Sequence, residues 1–565
     1  MIKKLFTFFV LFLLSFSISG QEALKSIEED YYDFLSLTGV TERPTLGFKT
    51  LSDNLWTFND EVSSEEAETT NNHIWSNNNL GTTFTLWEAS SPVENAFTRG
   101  INQAITVRIF GPEWFNSYNS DVPFGQNDGA LWQGRGYNTS LTAGVRFEGY
   151  GVEATFKPQV SWMQNREFGT NPDVYPNPYS YSFKNDKVYQ RIDYVRRYGN
   201  SSLWNFDLND TEIRYSWKNL TIGFGSQNPW LGPAYLNPML GSNNAPGYLK
   251  LDIGIRKTEI IIPKIDFSLG FFELRLWTGQ LKESDFFDEI EWNDKRMLNG
   301  LSLSYSPSFV PGFTIGLNRI FMTYWKYENF KYIPRLFAFD DNNALASSGN
   351  DEDQKFAAFI EWNFKKIGFC VYGELGRDDF TSNMFTNPFH TAIYTVGVKQ
   401  IIPLPFGLQS IIYLEWNDFE MSQDFQLQWP YLGYYGHGFV KQGYTHKGQI
   451  IGAGSGALGN SQLIQYKVYY PKGFTSFKYH RYCPNNNSVY SQAVYTKMDN
   501  DKSNSVSDWY ACFETYLTFE LQTNYFITSN IDTELHVTYM YVDKINYEDI
   551  DLHSFSVQIL FKYLF

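Results

Sequence analysis

Cysteine is scarce. Three residues, Cys370, Cys483 and Cys512 in a chain of 565, cannot form a complete set of pairs, so no disulfide framework is expected. A Cys483–Cys512 bridge stays open for an oxidising compartment, since spacing alone decides nothing. Charge is also sparse, at 19% of residues, and 45 basic against 61 acidic side chains give a formal net charge of -16. That balance argues against nucleic acid as a partner. Long apolar runs are missing: after Gln21 nothing reaches the roughly eighteen uninterrupted apolar residues of a spanning helix, and the mean hydropathy is slightly negative. A bundle of membrane helices is excluded. What the chain has instead is aromatic side chains, 16 Trp, 39 Tyr and 49 Phe, with 42 Gly. Low charge with many aromatics fits a closed sheet that is apolar outside and polar inside.

The two ends agree with that class. Met1-Ile2-Lys3-Lys4, an apolar run from Leu5 to about Phe16 and the small residues before Gln21 form an export signal, with cleavage expected after Gly20. No Cys follows, which argues against a lipoprotein anchor. At the other end, Phe555, Val557, Ile559, Phe561, Tyr563 and Phe565 share one parity, while Ser554, Ser556, Gln558, Leu560, Lys562 and Leu564 share the other. Period two sends these sets to opposite faces of a strand. The first suits lipid and the second a mostly polar lumen.

Between the ends the periodicity changes once. Leu24, Ile27, Tyr31, Phe34 and Leu35 recur at helical spacing among Glu28, Glu29, Asp30 and Asp33, which predicts an amphipathic helix ending near Gly39. A second helical stretch is expected over Thr50 to Glu68. From about residue 100 onward period two dominates. Leu141, Ala143, Val145 and Phe147 alternate with Thr142, Gly144, Arg146 and Glu148. Ile213 and Tyr215 oppose Glu212 and Arg214, and Ile360 and Trp362 oppose Glu361 and Asn363. Pro158 interrupts one such run and marks a bulge or a strand end. Roughly sixteen to eighteen extended segments follow one another without a helical interruption, and lipid demands that such a sheet close on itself. The Gly/Asn/Pro-rich stretches 165–187, 226–250, 322–353 and 423–462 are expected as extracellular or lumen-entering loops. The expected division is a signal peptide at 1–20, a periplasmic helical segment at 21–80 and an outer-membrane β-barrel at 81–565.

The string Asn127-Asp-Gly-Ala-Leu-Trp-Gln-Gly-Arg-Gly136, within Pro123 to Val145, resembles the Wzi family of capsule-assembly outer-membrane proteins. Tyr372-Gly-Glu-Leu-Gly-Arg-Asp-Asp379, Gly443-Tyr-Thr-His-Lys-Gly-Gln449 and Gly241-Ser-Asn-Asn-Ala-Pro-Gly247 extend the resemblance. It runs from about residue 80 to the C-terminus and is nearest to members from Bacteroidetes-like bacteria. It implies an all-β, transmembrane antiparallel barrel of about eighteen strands, with a small helical element on the periplasmic side. It also implies a non-enzymatic role in retaining or organising capsular or other surface polysaccharide.

A polysaccharide needs aromatic platforms beside carboxylates, amides and guanidinium groups in a protected concavity. Asn127 and Asp128 can orient hydroxyls, Trp132 can stack on a sugar face, and Arg135 can pair with an acidic sugar. Asp128 and Arg135 can equally pair with each other to hold a turn. Glu374, Arg377 and Asp378, beside Asp379, form a second polar cluster, in which Glu374 can instead neutralise inward arginines such as Arg146 or Arg214. Tyr444, Thr445 and His446 complete the candidate set. His437 and His446 lack the close carboxylate or Cys partners of a metal site, so no metal, cofactor or catalytic triad is assigned. Gly452-Ala-Gly-Ser-Gly456 lacks the order of a nucleophile elbow or a phosphate loop. The expected partners are surface or capsular polysaccharide, outer-membrane lipid and other envelope export components. The competing functions are a porin or transport channel for small polar solutes or saccharides, and a membrane hydrolase.

Overall fold

The computed structural model describes residues 26–53, 56–59, 73–171, 177–179, 192–337, 352–378, 386–429, 432–487, 489–490 and 513–565. The export signal, Asp379 and Cys512 lie outside them.

Period-two segments become the staves of one wall. In chain order they are β1 (Ile105–Asn119), β2 (Gly136–Gly149), β3 (Val152–Phe156 and Gln159–Met163), β4 (Leu203–Asp207 and Glu212–Trp217), β5 (Leu220–Gly225) and β6 (Lys250–Ile262). Next come β7 (Phe267–Lys282), β8 (Lys295–Pro307), β9 (Phe313–Tyr324), β10 (Glu352–Phe364), β11 (Phe369–Asp378) and β12 (Ala392–Pro403). The last six are β13 (Gln409–Asp418), β14 (Asn460–Tyr470), β15 (Gly473–Cys483), β16 (Thr515–Thr528), β17 (Ile531–Asp543) and β18 (Leu552–Tyr563). Each pairs antiparallel with the next, and β18 returns to β1 from Lys562↔Glu113 to Ser556↔Asn119. The sheet therefore closes as an eighteen-position barrel. Pro158 splits β3 because it has no N–H to give to the ladder. An extra strand, Thr83–Trp87, pairs with the start of β1, below the point where β18 stops.

The exterior is apolar, as the alternation requires. Phe555, Val557, Ile559, Phe561 and Tyr563 are exposed while Ser554, Ser556, Gln558 and Lys562 are buried. Leu141 and Phe147 face out with Ile213 and Tyr215, and Arg146, Glu212 and Arg214 face in. A closed sheet that satisfies every backbone group within itself is one of the two architectures that can cross hydrocarbon. Turns at one end are short, such as 150–151, 471–472 and 529–530, and connections at the other are long, such as 164–202, 226–249 and 419–459. Short turns mark the periplasmic rim of such barrels and long loops the cell-surface rim.

Three segments enter the lumen. The first begins with α1 (Ile27–Ser36), whose N-cap Ser26 accepts the Glu29 N–H at 3.2 Å. This helix stands apart from the sheet, at the short-turn mouth. Tyr31, Phe34 and Leu35 pack with Tyr469, Phe474 and Phe526, and Asp33 meets Lys399 at 2.7 Å while Asp30 meets Lys467. Beyond α1 the structure departs from the expected second helix. Phe48–Lys49 pairs with Trp230–Leu231, and Thr57–Phe58 pairs with Thr41–Glu42. Inside the lumen these backbone groups find extended partners, and cross-chain pairing outcompetes a local helix whose continuation, 60–72, is not described. Asp53 anchors this stretch to the wall, 2.8 Å from Arg275 and 2.7 Å from Arg256.

The second segment is 226–249 and the third is 432–459, two of the loops expected to enter the lumen. Tyr435 and Tyr444 of the third donate to the Met239 and Leu240 carbonyls of the second at 2.8 and 2.7 Å. Gly452 lies so close to Met239 that a Cβ there would collide with its carbonyl. With wall residues Trp277, Leu298, Ile320 and Ile393 they form an apolar core that fills the lumen on the β7–β13 side. Cys370 and Cys483 are buried free thiols.

Candidate functional site

The lumen that is not filled lies against β1–β3 and β14–β18, and the connection 120–135 hangs into it. Asn119 sets the shape of that loop: its side-chain amide donates to the Phe124, Gln133 and Gly134 carbonyls, each at 3.1 Å. Asn127 (φ 61°) and Gly129 (φ 59°) turn the chain through left-handed backbone at the tip. The tip is bonded to the second lumen segment. Asn127 Nδ2 donates to the Leu236 carbonyl at 3.1 Å, Gly129 N–H to Asn243 at 2.6 Å, and Gln126 Nε2 to Asn237 Oδ1 at 2.6 Å.

Two cavities meet at this tip. One, of about 340 Å³, extends toward the long-loop end past Trp132, Lys478, His480 and Tyr516. The other, of about 270 Å³, extends toward α1 past Lys157, Glu534 and Lys562. Asn127, Asp128, His536 and Gln558 line both. Enclosure in this lumen pushes the Asp128 carboxyl up to about 7, against the pull of Gln133 and of the charges on His536 and Lys478. The result is a polar, aromatic-edged space with a carboxyl that titrates near neutrality. Among the described residues no group of three His, Cys, Asp or Glu side chains could hold a metal ion.

The residues singled out from sequence divide. Asn127, Asp128 and Trp132 come together on the cavity walls. Arg135 points away from them, donating to the Ser120 and Glu167 carbonyls at 2.8 and 2.5 Å and facing Asp121 at 3.9 Å rather than Asp128. Glu374 is buried in the wall and accepts the Ala234 and Met239 N–H groups, both at 3.1 Å. Asp378 pairs with Lys355 at 2.5 Å, and Arg377 donates to the Pro388 carbonyl at 2.8 Å. Tyr444 is buried against Leu240, and Thr445 donates to Gln442 at 3.0 Å. His446 Nδ1 accepts the Lys282 N–H at 3.0 Å, and burial holds its ring well below the usual imidazole range.

Two wall carboxylates were not among the candidate site residues. Glu415 accepts the Tyr235 and Asn237 N–H groups at 2.6 and 3.0 Å, and Glu273 accepts those of Leu46 and Gly47, both at 2.9 Å. Both have lumen parity on their strands, as do Lys478, His480 and His536, which was the one signal available for them. The inward arginines are neutralised by neighbours on the wall and not by Glu374. Arg214 bonds Glu212 at 2.8 Å and Asp252 at 2.6 Å, and Arg146 reaches Glu153 at 3.2 Å.

Comparison with known proteins now bears on this geometry. Residues 124–553 match the model of the capsule assembly protein Wzi family. No curated protein sequence matches the chain. Among solved structures it is similar to Wzi of Escherichia coli, an outer-membrane protein involved in group 1 capsule assembly and a carbohydrate-binding β-barrel. Identity is 12%, coverage 81% of this chain and 85% of that one, and the TM-score 0.52. OprB of Pseudomonas putida (11% identity, 80% and 93% covered) and OccD3 of Pseudomonas aeruginosa (11%, 84% and 95%) give TM-scores of only 0.34 and 0.38. The likeness to the first supports the barrel fold. With the family match spanning most of its length, this chain belongs to the Wzi family of capsule assembly proteins.

Proposed function

We propose that this protein binds surface polysaccharide in the lumen cavities beneath its long loops and so retains or organises the polymer at the cell surface. The observation that carries the reading is the 120–135 loop. It brings Asn127, Asp128 and Trp132 onto the unfilled part of a lumen that is packed shut on its other side. Amide and carboxyl oxygens suit sugar hydroxyls, and an indole suits the weakly apolar sugar face. In this reading Glu374, Arg377, Asp378, Arg135, Tyr444, Thr445 and His446 organise the walls and loops around the site rather than touching polymer. Residues 1–20 direct export, 21–80 form the portion that enters the lumen from the periplasmic side, and 81–565 form the barrel. The protein acts as a Bacteroidetes-type member of its family, alongside other envelope export components. Purified full-length protein should bind the host's own surface polysaccharide in solution, and an Asp128→Ala, Trp132→Ala variant that folds should lose that binding. Undiminished binding by the variant would move the site elsewhere.

A further inference from the structure

The barrel closes around its circumference, but near the long-loop end its strand pairing is interrupted among the described residues. The upper half of β4, Leu203–Asp207, pairs with β3 on one side, and among the described residues no strand pairs with it on the other. Its neighbour β5 ends at Gly225, opposite Glu212, and β6 begins only at Lys250, opposite Gly279 of β7. Among the described residues the strand pairing therefore has a gap between Leu203–Asp207 and the end of β7. Among the described residues Lys447 spans it, with its Nζ 2.8 Å from Asp207 and its backbone N–H donating to the Lys282 carbonyl at 2.8 Å.

The gap contains a cavity of about 310 Å³, at the small end of ligand pockets. Trp132, Tyr198, Trp204 and Phe286 supply ring faces, and Lys282 and Lys447 line it together with the acidic Glu283 and Asp285, Lys447 being already paired with Asp207. Trp204 is 74% exposed on the outer face, with Phe206 below it at 63%. Tyr118 opposite Tyr137, and Trp162 opposite Trp204, continue the same aromatic row around β1–β4. Such a row marks the headgroup level of an outer-membrane barrel. On the inner side, Trp132 and Gln449 line both this cavity and the larger lumen cavity. They form the partition between membrane and glycan site.

We propose that this gap is a lateral window that holds the saccharide headgroup of an outer-leaflet glycolipid, with its acyl chains left in the membrane against Trp204 and Phe206. Ring faces at headgroup depth suit sugars, and Lys282 beside Glu283 and Asp285 offers donors and acceptors to their hydroxyls. A free soluble sugar gains nothing from the apolar outer lip, whereas a lipid-anchored one gains both halves. The inference rests on the lumen being a glycan site and names the form in which that glycan arrives.

The test uses full-length protein in lipid nanodiscs carrying Phe286→benzoylphenylalanine in the window or, separately, Tyr516→benzoylphenylalanine in the lumen cavity. One arm supplies rough lipopolysaccharide in the bilayer. A second supplies the host's surface polymer with its lipid end retained, and matching arms supply each saccharide after delipidation. At position 286, labelling by at least one lipid-linked probe is expected, with loss on delipidation and loss in a Lys282→Met background. The probe that labels identifies the source. Equal labelling by the delipidated saccharide, or none by either lipid-linked probe, would overturn the window. Labelling at position 516 with silence at 286 leaves the lumen reading standing and the window refuted. Silence at both removes both. Unchanged heat-modified gel mobility of each variant shows that the barrel has folded.

Discussion

Glu415 Oε2 lies 2.6 Å from the backbone nitrogen of Tyr235, a bond that joins wall and lumen segment across 180 residues of sequence. The same carboxylate also accepts the Asn237 N–H and the Tyr372 hydroxyl. Glu374 repeats the device on the same segment, at Ala234 and Met239, and Glu273 on the N-terminal one. Unpaired amides inside a lumen cost free energy, and a wall carboxylate satisfies several at once. These three side chains tie the N-terminal and 226–249 segments to the wall.

Removing two of them should open a pore. Hydrogen bonds to a charged group contribute about 1.5–3 kcal/mol each, so the Glu374→Ala, Glu415→Ala double variant should release segment 226–249 from the wall. In planar bilayers the native protein is expected to show no steady open-channel current and the double variant a clear one. A conducting native protein would favour the channel reading instead.

Asp53 ties the N-terminal segment to Arg275 and Arg256. Breaking one side of a buried ion pair typically costs about 3–5 kcal/mol, because a charge is left without its partner. The Asp53→Ala variant should show a lower thermal midpoint and faster proteolysis of the N-terminal segment, with the barrel still resistant. Intact protection of residues 26–53 would show that α1 and its pairs with Lys399 and Lys467 hold that segment alone.

The Asp128 carboxyl, pushed up to about 7, sets a pH dependence. Its folded value lies above the ordinary value of about 3.9, so between those limits the folded state binds more protons than the unfolded one. Stability must therefore fall as pH rises through that window and level off above about 7. Asp128→Asn should flatten this slope in thermal-unfolding series taken from pH 4 to pH 8. A slope that persists in the variant would assign it to another group.

Trp132 and Arg135 should part company when replaced singly. Loss of a stacking platform costs on the order of 2 kcal/mol, roughly thirtyfold in Kd, so Trp132→Ala should weaken polysaccharide binding by about that factor in titration calorimetry. Arg135→Ala removes ties to the Ser120 and Glu167 carbonyls and should act mainly on loop stability. Equal losses of affinity would place Arg135 on the ligand after all.

The alternation of Phe555 to Phe565 with Ser554 to Leu564, and of Leu141 with Thr142, was enough to orient the strands. A stave has two sides, and a one-residue slip would bury charge in lipid. The apolar spacing of Ile27, Tyr31, Phe34 and Leu35 among acidic residues was enough for α1. Lumen parity was equally visible for Glu374, Glu415 and Lys478. Nothing local distinguishes among these three, because each is a polar residue on an inward face.

That distinction depends on which loop each residue meets. Glu374 meets Ala234 and Met239, while Asp128 stands at the edge of open space, and the partners lie more than a hundred residues away. Period and polarity are properties of neighbouring residues, so the chain carries them without folding. Which inward group is spent on holding the protein together, and which is left to face a ligand, is a property of contacts between distant segments. Those contacts come into being only when the wall closes around its loops.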